Sequence, residues 1–319
     1  GGTLASLARL PDGESASLSA RASGTLKEGD GFAELKISGA TIAELTGKIT
    51  AGDLLASANL NASRIPLSEQ VRSLIGPSAS LTLEGDVRKR QIPFNLSGKL
   101  ASGTFSANGV FRSKARKFEG PVNLDLTFRA LEDLTGVAAD LAFSGLVNRP
   151  MEAPELAGTA RLSARPDSDL PFDAIEGPIS IAPEQSLIKF NASLAGTGLL
   201  KSNVTAGRIV GKAPKLDLAG NYNRTTGIVT LASSKAQLAE GSATANGTAD
   251  LKAKTLNLTT GFRNVSGLLS SAPGLSASGT ATLRGGFSSP LVEADITATR
   301  LDELGTLAED IMGQSARLR

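Results

Sequence analysis

Apolar and polar residues alternate along this chain almost from end to end. Between Gly274 and Gly286 the odd positions are Leu275, Ala277, Gly279, Ala281 and Leu283, with Ser276, Ser278, Thr280 and Thr282 between them. Successive side chains on a strand point to opposite faces, so this order predicts a strand with one apolar and one wet face. The same rhythm sets Leu35 and Ile37 against Glu34 and Lys36, and Leu81, Leu83 and Val87 against Thr82, Glu84 and Asp86. Ile92, Phe94 and Leu96 follow, then Phe105 and Phe111, then Leu124, Leu126 and Phe128. Leu156 and Leu162, then Ile188, Phe190 and Leu194, carry it into the second half. Leu216 and Leu218, Leu256 and Leu258, and finally Val292 and Ile296 complete it. Phe32, Phe143 and Phe262 join the other phenylalanines as bulky inward candidates.

Turn signals such as "KEGDG", "ASG", "RPDSDLP", "GKAP" and "NRTTG" fall between these runs. Many short strands at regular spacing predict an antiparallel all-β protein. Helical patterns are few: 66–76, 131–139, 265–274 and the amphipathic tail 301–313, with 301–319 read as a terminal helix. They read as plugs or caps over a sheet. A motif with a central glycine recurs, as in "LSGKL" at 96–100, "ANGVF" at 107–111, "LAGNY" at 218–222 and "ASGTA" at 277–281. Glycine inside a strand marks a bend, a bulge or a close approach, and curvature of a long sheet is the plain reading. A coarser repeat around Pro150, Pro214 and Pro290 predicts one elongated unit of stacked strand groups, 1–76, 77–150, 151–214 and 215–300. The opening "GGTLASLARL" reads as an internal piece of a longer protein.

On the order of 25 strands in one curved sheet would run roughly 120 Å and present about 1,200 Å² of apolar face, against ~300–600 Å² for a monomer's largest exposed patch. That face must fold on itself, pack on another protein or hold something greasy. Composition bears on the choice. Only 4% of the chain is aromatic, with no Trp and one Tyr, and 35 residues are glycine. Rows of Ala and Gly with scattered Leu and Phe fill a sandwich core poorly. They leave room in a trough for acyl chains.

The absence of Cys excludes disulfides and thiolate metal sites, and the absence of His excludes Ser-His-Asp and Cys-His catalysis. No cofactor is implied. No run of about 18 apolar residues occurs. The formal charge is +2, and no basic stripe with interleaved aromatics points to nucleic acid. Two basic clusters, Arg88, Lys89, Arg90 and Arg112, Lys114, Arg116, Lys117, read as solvated hairpin ends, with contact to an anionic headgroup as the alternative. "GTGLLKS" at 196–202 lacks phosphate-loop spacing. The pairs Asp167 with Asp169 and Glu132 with Asp133 fall in expected turns, and the eight N-x-[ST] triplets follow from polar faces rich in Asn, Ser and Thr.

The stretch "GLLSSAPGLSASGTATLRGGFSSPLVEADITATRL" at 267–301, with its relatives at 131–165 and 211–223, resembles the TamB family of AsmA-like, bridge-like lipid-transfer proteins. The resemblance implies a long periplasmic β-taco with an apolar groove, bridging the inner and outer membranes of a Gram-negative bacterium. It implies phospholipid acyl chains as cargo, an Omp85-family outer-membrane partner, and an inner-membrane anchor that lies outside this segment. The leading expectation is a non-enzymatic lipid conduit. A scaffold offering strand edges to nascent outer-membrane proteins is the alternative. A carbohydrate-acting β-helix enzyme is disfavoured by the missing Trp and His.

Overall fold

The alternation is realised as antiparallel ladders, and the protein is all-β. The computed structural model describes residues 15–64, 72, 75–129, 138–149, 153–168, 170, 172–198, 208–211, 213–267, 274–301 and 315–318, which hold twenty strands. The helical patterns at 66–76, 131–139, 265–274 and 301–313 lie largely outside these residues. Within the first, Arg72 and Ile75 are helical, and the Gly76 N–H donates to the Arg72 carbonyl.

The chain divides into two units, Gly1–Glu152 and Ala153–Arg319. In the first, β1 (Ala16–Gly24), β2 (Glu28–Ile37), β3 (Ala40–Thr50), β4 (Asp53–Asn61), β5 (Ser78–Asp86), β6 (Gln91–Lys99) and β7 (Gly103–Arg112) each pair with the next. β7 then pairs with both β8 (Lys117–Phe118) and β9 (Val122–Phe128), and β9 pairs with β10 (Ala139–Asn148). Gly120 and Pro121 separate β8 from β9. Gly120 takes a φ of 78°, and proline has no N–H to give a ladder. In the second unit β11 (Glu155–Ala164), β12 (Ala174–Glu184), β13 (Leu187–Thr197), β14 (Lys215–Asn223) and β15 (Ile228–Gln237) pair in chain order. So do β16 (Ser242–Asp250), β17 (Thr255–Val265), β18 (Ser276–Gly286), β19 (Ser289–Thr299) and β20 (Ser315–Leu318).

Three local expectations are corrected. "KEGDG" does not turn the chain: Glu28 to Gly31 already pair in β2, and the reversal runs over Gly24–Glu28, closed by the Thr25 N–H on the Glu28 carbonyl. The 301–319 tail is not helical throughout. Its Ser315–Leu318 segment forms β20 against β19, where the Arg317 guanidinium grips the Asp295 carboxylate. Phe32 faces away from the apolar side. Its rung partners are Arg21 and Thr46, and the Arg21 guanidinium stacks 5.4 Å from its ring centre, a cation–π contact.

Among the described residues, well-buried side chains are few and gather mainly at one end of each ladder. In the first unit Ile37, Ile42, Ala62 and Ala139 lie where β2, β3, β4 and β10 meet their loops. In the second, Ala174, Ile175, Val265, Leu275 and Leu301 occupy the corresponding end. Between the ends, the apolar face is mostly half-exposed.

Candidate functional site

Rung-by-rung pairing puts the sequence-predicted apolar residues on one face of their own unit. In the first unit one row crosses nine strands as Ala20, Ala33, Leu45, Ala58, Leu81, Gly98, Phe105, Leu126 and Phe143. The neighbouring row carries Leu83, Leu96, Ala107 and Leu124. Leu35 lies at one end of this face opposite Leu18 and Ala43, and Phe128 lies opposite Gly103 and Leu141. Phe143 is buried and Leu81 is 38% exposed.

In the second unit a row runs Leu156, Ile181, Phe190, Gly220, Leu231, Gly247, Leu258, Leu283 and Val292. Leu194, Leu216, Phe262 and Ile296 share the same face, as do Ile188, Leu256, Leu162 and Leu218. Val292 is 57% exposed, so the face opens to water toward the β19 end.

The glycine motif explains why these faces are thin. A Cβ at Gly98 would stand 2.2 Å from Phe105 Cε1, and one at Gly220 would stand 2.7 Å from Phe190 Cζ. A Cβ at Gly109 would meet the Phe94 ring at 3.1 Å. The phenylalanines therefore lie flat over the glycine of the neighbouring strand instead of rising from the sheet. They cover backbone and leave the space above the face unfilled.

On the first unit that space forms a concavity of about 360 Å³, within the ~300–1,000 Å³ of small-molecule sites. Leu54, Leu83, Val87, Ile92, Phe94, Leu96, Phe111 and Phe118 line it. Glu84 borders it too, but its rung partners Leu55 and Asn95 place its carboxylate on the opposite face. The Phe118 ring packs 5.4 Å from Phe94 and 5.5 Å, edge-on, from Phe111. Sequence reading placed Val87, Ile92, Phe94 and Phe111 on this face and missed Phe118. Its strand is two residues long, too short for alternation to register, and only the pairing of Phe118 with Phe111 brings it in.

Charged groups sit around the strand ends. Arg88 reaches Asp86 at 2.8 Å and Asp53 at 3.0 Å. The guanidinium and the N–H groups donating to Asp86 hold that carboxyl well below its ordinary value of 3.8. Arg112 pairs with Glu119 and likewise lowers its pKa. Among the described residues, no cluster of three or more acidic side chains is arranged to hold a metal ion. Around Phe94, Phe111 and Phe118 the site is apolar and partly open. Compared with known proteins, the chain matches no family model, no curated protein and no solved structure.

Proposed function

We propose that this chain binds lipid acyl chains along the apolar faces of its sheets and carries lipid without chemical change. The observation that carries the reading is the Phe94–Phe111–Phe118 concavity, set in a face whose other large side chains are mostly half-exposed. An acyl chain laid there would cover surface that the protein leaves in water, worth about 25 cal/mol per Å² buried. The resemblance to the TamB family extends the reading to a periplasmic segment of a conduit for phospholipid between inner and outer membranes. In that reading an Omp85-family partner and an inner-membrane anchor engage regions outside this segment.

The test is solvent extraction and mass spectrometry of the purified chain against a mock purification. Stoichiometric phospholipid is expected, and Leu126→Asp, Phe190→Asp and Phe94→Asp should each reduce it. A folded, lipid-free wild type would overturn the reading and favour the scaffold, in which a strand-edge proline disturbs function more than a charge on the apolar face.

A further inference from the structure

We infer that an acyl chain crosses the strands of the first unit along one trough that passes over Leu54, so that chains too long for the aromatic concavity continue over β1–β3 and bind more tightly than short ones. The inference rests on the acyl-binding reading above and names the feature of the lipid that the first unit selects. A second concavity, of about 380 Å³, lies over the first four strands. Ala22, Gly31, Gly47, Ile49 and Leu54 line it, and Leu54 also lines the aromatic concavity of about 360 Å³. Both lie on the same face. One row of rung partners runs Gly24, Gly29, Ile49, Leu54, Gly85 and Phe94, and the next runs Ala22, Gly31, Gly47, Ala56, Leu83 and Leu96. Ser23 and Asp30 border the second concavity too, but they alternate with these rows, and the Ser23 hydroxyl donates to the Asp30 carboxylate on the other face.

The dimensions set where one concavity gives way to the other. Strands stand ~4.8 Å apart, so the aromatic concavity, from β4 to β7, is about 14 Å long, and β1 to β4 adds about as much again. An extended backbone advances ~3.3–3.6 Å over the three bonds of a residue, so a hydrocarbon zigzag of similar geometry advances about 1.2 Å per carbon. Roughly twelve carbons therefore fill the aromatic concavity, and a hexadecanoyl chain reaches past Leu54. The side chains that these rows present to it there are apolar or absent. Gly31 and Gly47 do not owe their identity to crowding or to backbone strain. Neither has a positive φ, and an added Cβ would stand 3.8 Å from the Arg21 carbonyl oxygen at Gly31 and 3.9 Å from the Ala56 Cβ at Gly47. Gly98, by contrast, is held to glycine by the Phe105 ring above it. A larger side chain at 31 or 47 would stand in the trough, and glycine leaves the path beyond Leu54 open.

The experiment is equilibrium dialysis of the delipidated whole chain, below micellar concentrations, against lysophosphatidylcholines carrying octanoyl, dodecanoyl and hexadecanoyl chains. At about twofold per half-buried CH₂, the hexadecanoyl lipid is expected to bind at least about tenfold tighter than the dodecanoyl lipid. Gly31→Leu and Gly47→Leu, each checked for a native melt by circular dichroism, should cut that ratio to about twofold or less. Gly31→Ala, whose Cβ makes only ordinary contacts, should lower the ratio by about half, and it carries the test if a leucine variant misfolds. Phe118→Ala, at the other end of the trough, should weaken all three lipids alike. Equal binding of dodecanoyl and hexadecanoyl lipid by the wild type overturns the shared trough while the acyl-binding reading stands. So do glycine variants that keep the wild-type ratio or that lose all three lipids in equal proportion. Binding of none of the three lipids sinks both readings.

Discussion

Two glycines on the same apolar face should respond to alanine with opposite signs. Neither Gly98 nor Gly31 has a positive φ, so backbone strain plays no part at either site. At Gly98 a Cβ would lie 2.2 Å from Phe105 Cε1, 2.5 Å from Cζ and 2.9 Å from Leu81 Cδ2. Ordinary carbon contacts stand at ~3.5–4.0 Å, so the ring must lift by about 1 Å off the strand it covers. Such overpacking costs roughly 1–3 kcal/mol, against a gain of ~0.4–1 kcal/mol from stiffening the unfolded chain. The net expectation for Gly98→Ala is a loss of about 1–2 kcal/mol. At Gly31 the nearest atoms are the Arg21 carbonyl oxygen at 3.8 Å and the Ala22 Cβ at 3.9 Å, both in ordinary contact. Gly31→Ala keeps only the unfolded-state gain. At ~2–4 °C per kcal/mol for a unit of this size, Tm should fall by about 2–8 °C for the first variant and rise by about 1–4 °C for the second. Thermal melts followed by far-UV circular dichroism measure both. Adding Phe105→Leu to Gly98→Ala should recover part of the loss. Equal shifts of one sign for the two glycines, or no recovery in the double variant, would refute the flat-ring account.

Other consequences are as direct. The folded pKa of Asp86 is depressed, so its pairing with Arg88 stabilises fully above the ordinary carboxylate range and is lost as pH falls below about 4. The Tm gap between wild type and Asp86→Asn should therefore be open at pH 7 and shrink toward pH 2; a constant gap contradicts the linkage. Phe118→Ala removes both aromatic contacts, at ~0.5–1.5 kcal/mol each, and should lower Tm and the affinity for short-chain lipid together. Gly52 combines a φ of 88° with the Arg88 side chain 2.2 Å from its missing Cβ, so Gly52→Ala should cost more than Gly31→Ala gains, read by the same melts.

The strands were legible because alternation is a strong signal wherever one face is apolar. Of the stretch at 275–283, residues from Ser276 on became a strand, with Ala277, Gly279, Ala281 and Leu283 on the apolar side. Features that break the two-residue period were not legible. Ile42, the most deeply buried large side chain among the described residues, is an extra residue between Ala43, opposite Leu35, and Thr41, opposite Lys36. No pattern of period two can predict it. The tight turns at Ser38–Gly39 and Ala51–Gly52 have positive φ at both positions, the geometry that hairpins of matching twist require, yet their first residues are unremarkable in sequence. Phe32 shows the converse failure, since aromatic identity alone does not say which face a residue takes. The concavity around Phe118 depended on a contact between strands that only the register supplies.

The bulge in β15 puts this distinction to a direct test. Leu231 pairs with Gly247 and Ser234 with Ala245, so three steps on β15 face two on β16. On the other side Gly220 faces Leu231 and Leu218 faces Ser234, again two steps against three. The apolar face thus passes from odd positions, Val229 and Leu231, to even ones, Ser234 and Ala236. Across the interruption the Ser234 hydroxyl accepts from the Ala245 N–H and donates to the Ala245 carbonyl, both at 3.1 Å, in place of ladder bonds. Deleting Ala232, an exposed residue, would restore even steps on both sides and keep every flanking side chain on its face. Deleting Asn191 from the regular part of β13 would set Ile188 and Phe190 on the opposite face from Ala192 and Leu194, because a one-residue slip inverts the pleat. The first deletion should give a folded protein with Tm within a few degrees of wild type, and the second should give little soluble protein or a Tm lower by well over 10 °C. Soluble yield and melts of the two variants decide the matter. If both are tolerated, the register in the second unit is not held by its apolar face; if both fail, the β15 bulge is itself a requirement of the fold and not an accommodated extra residue.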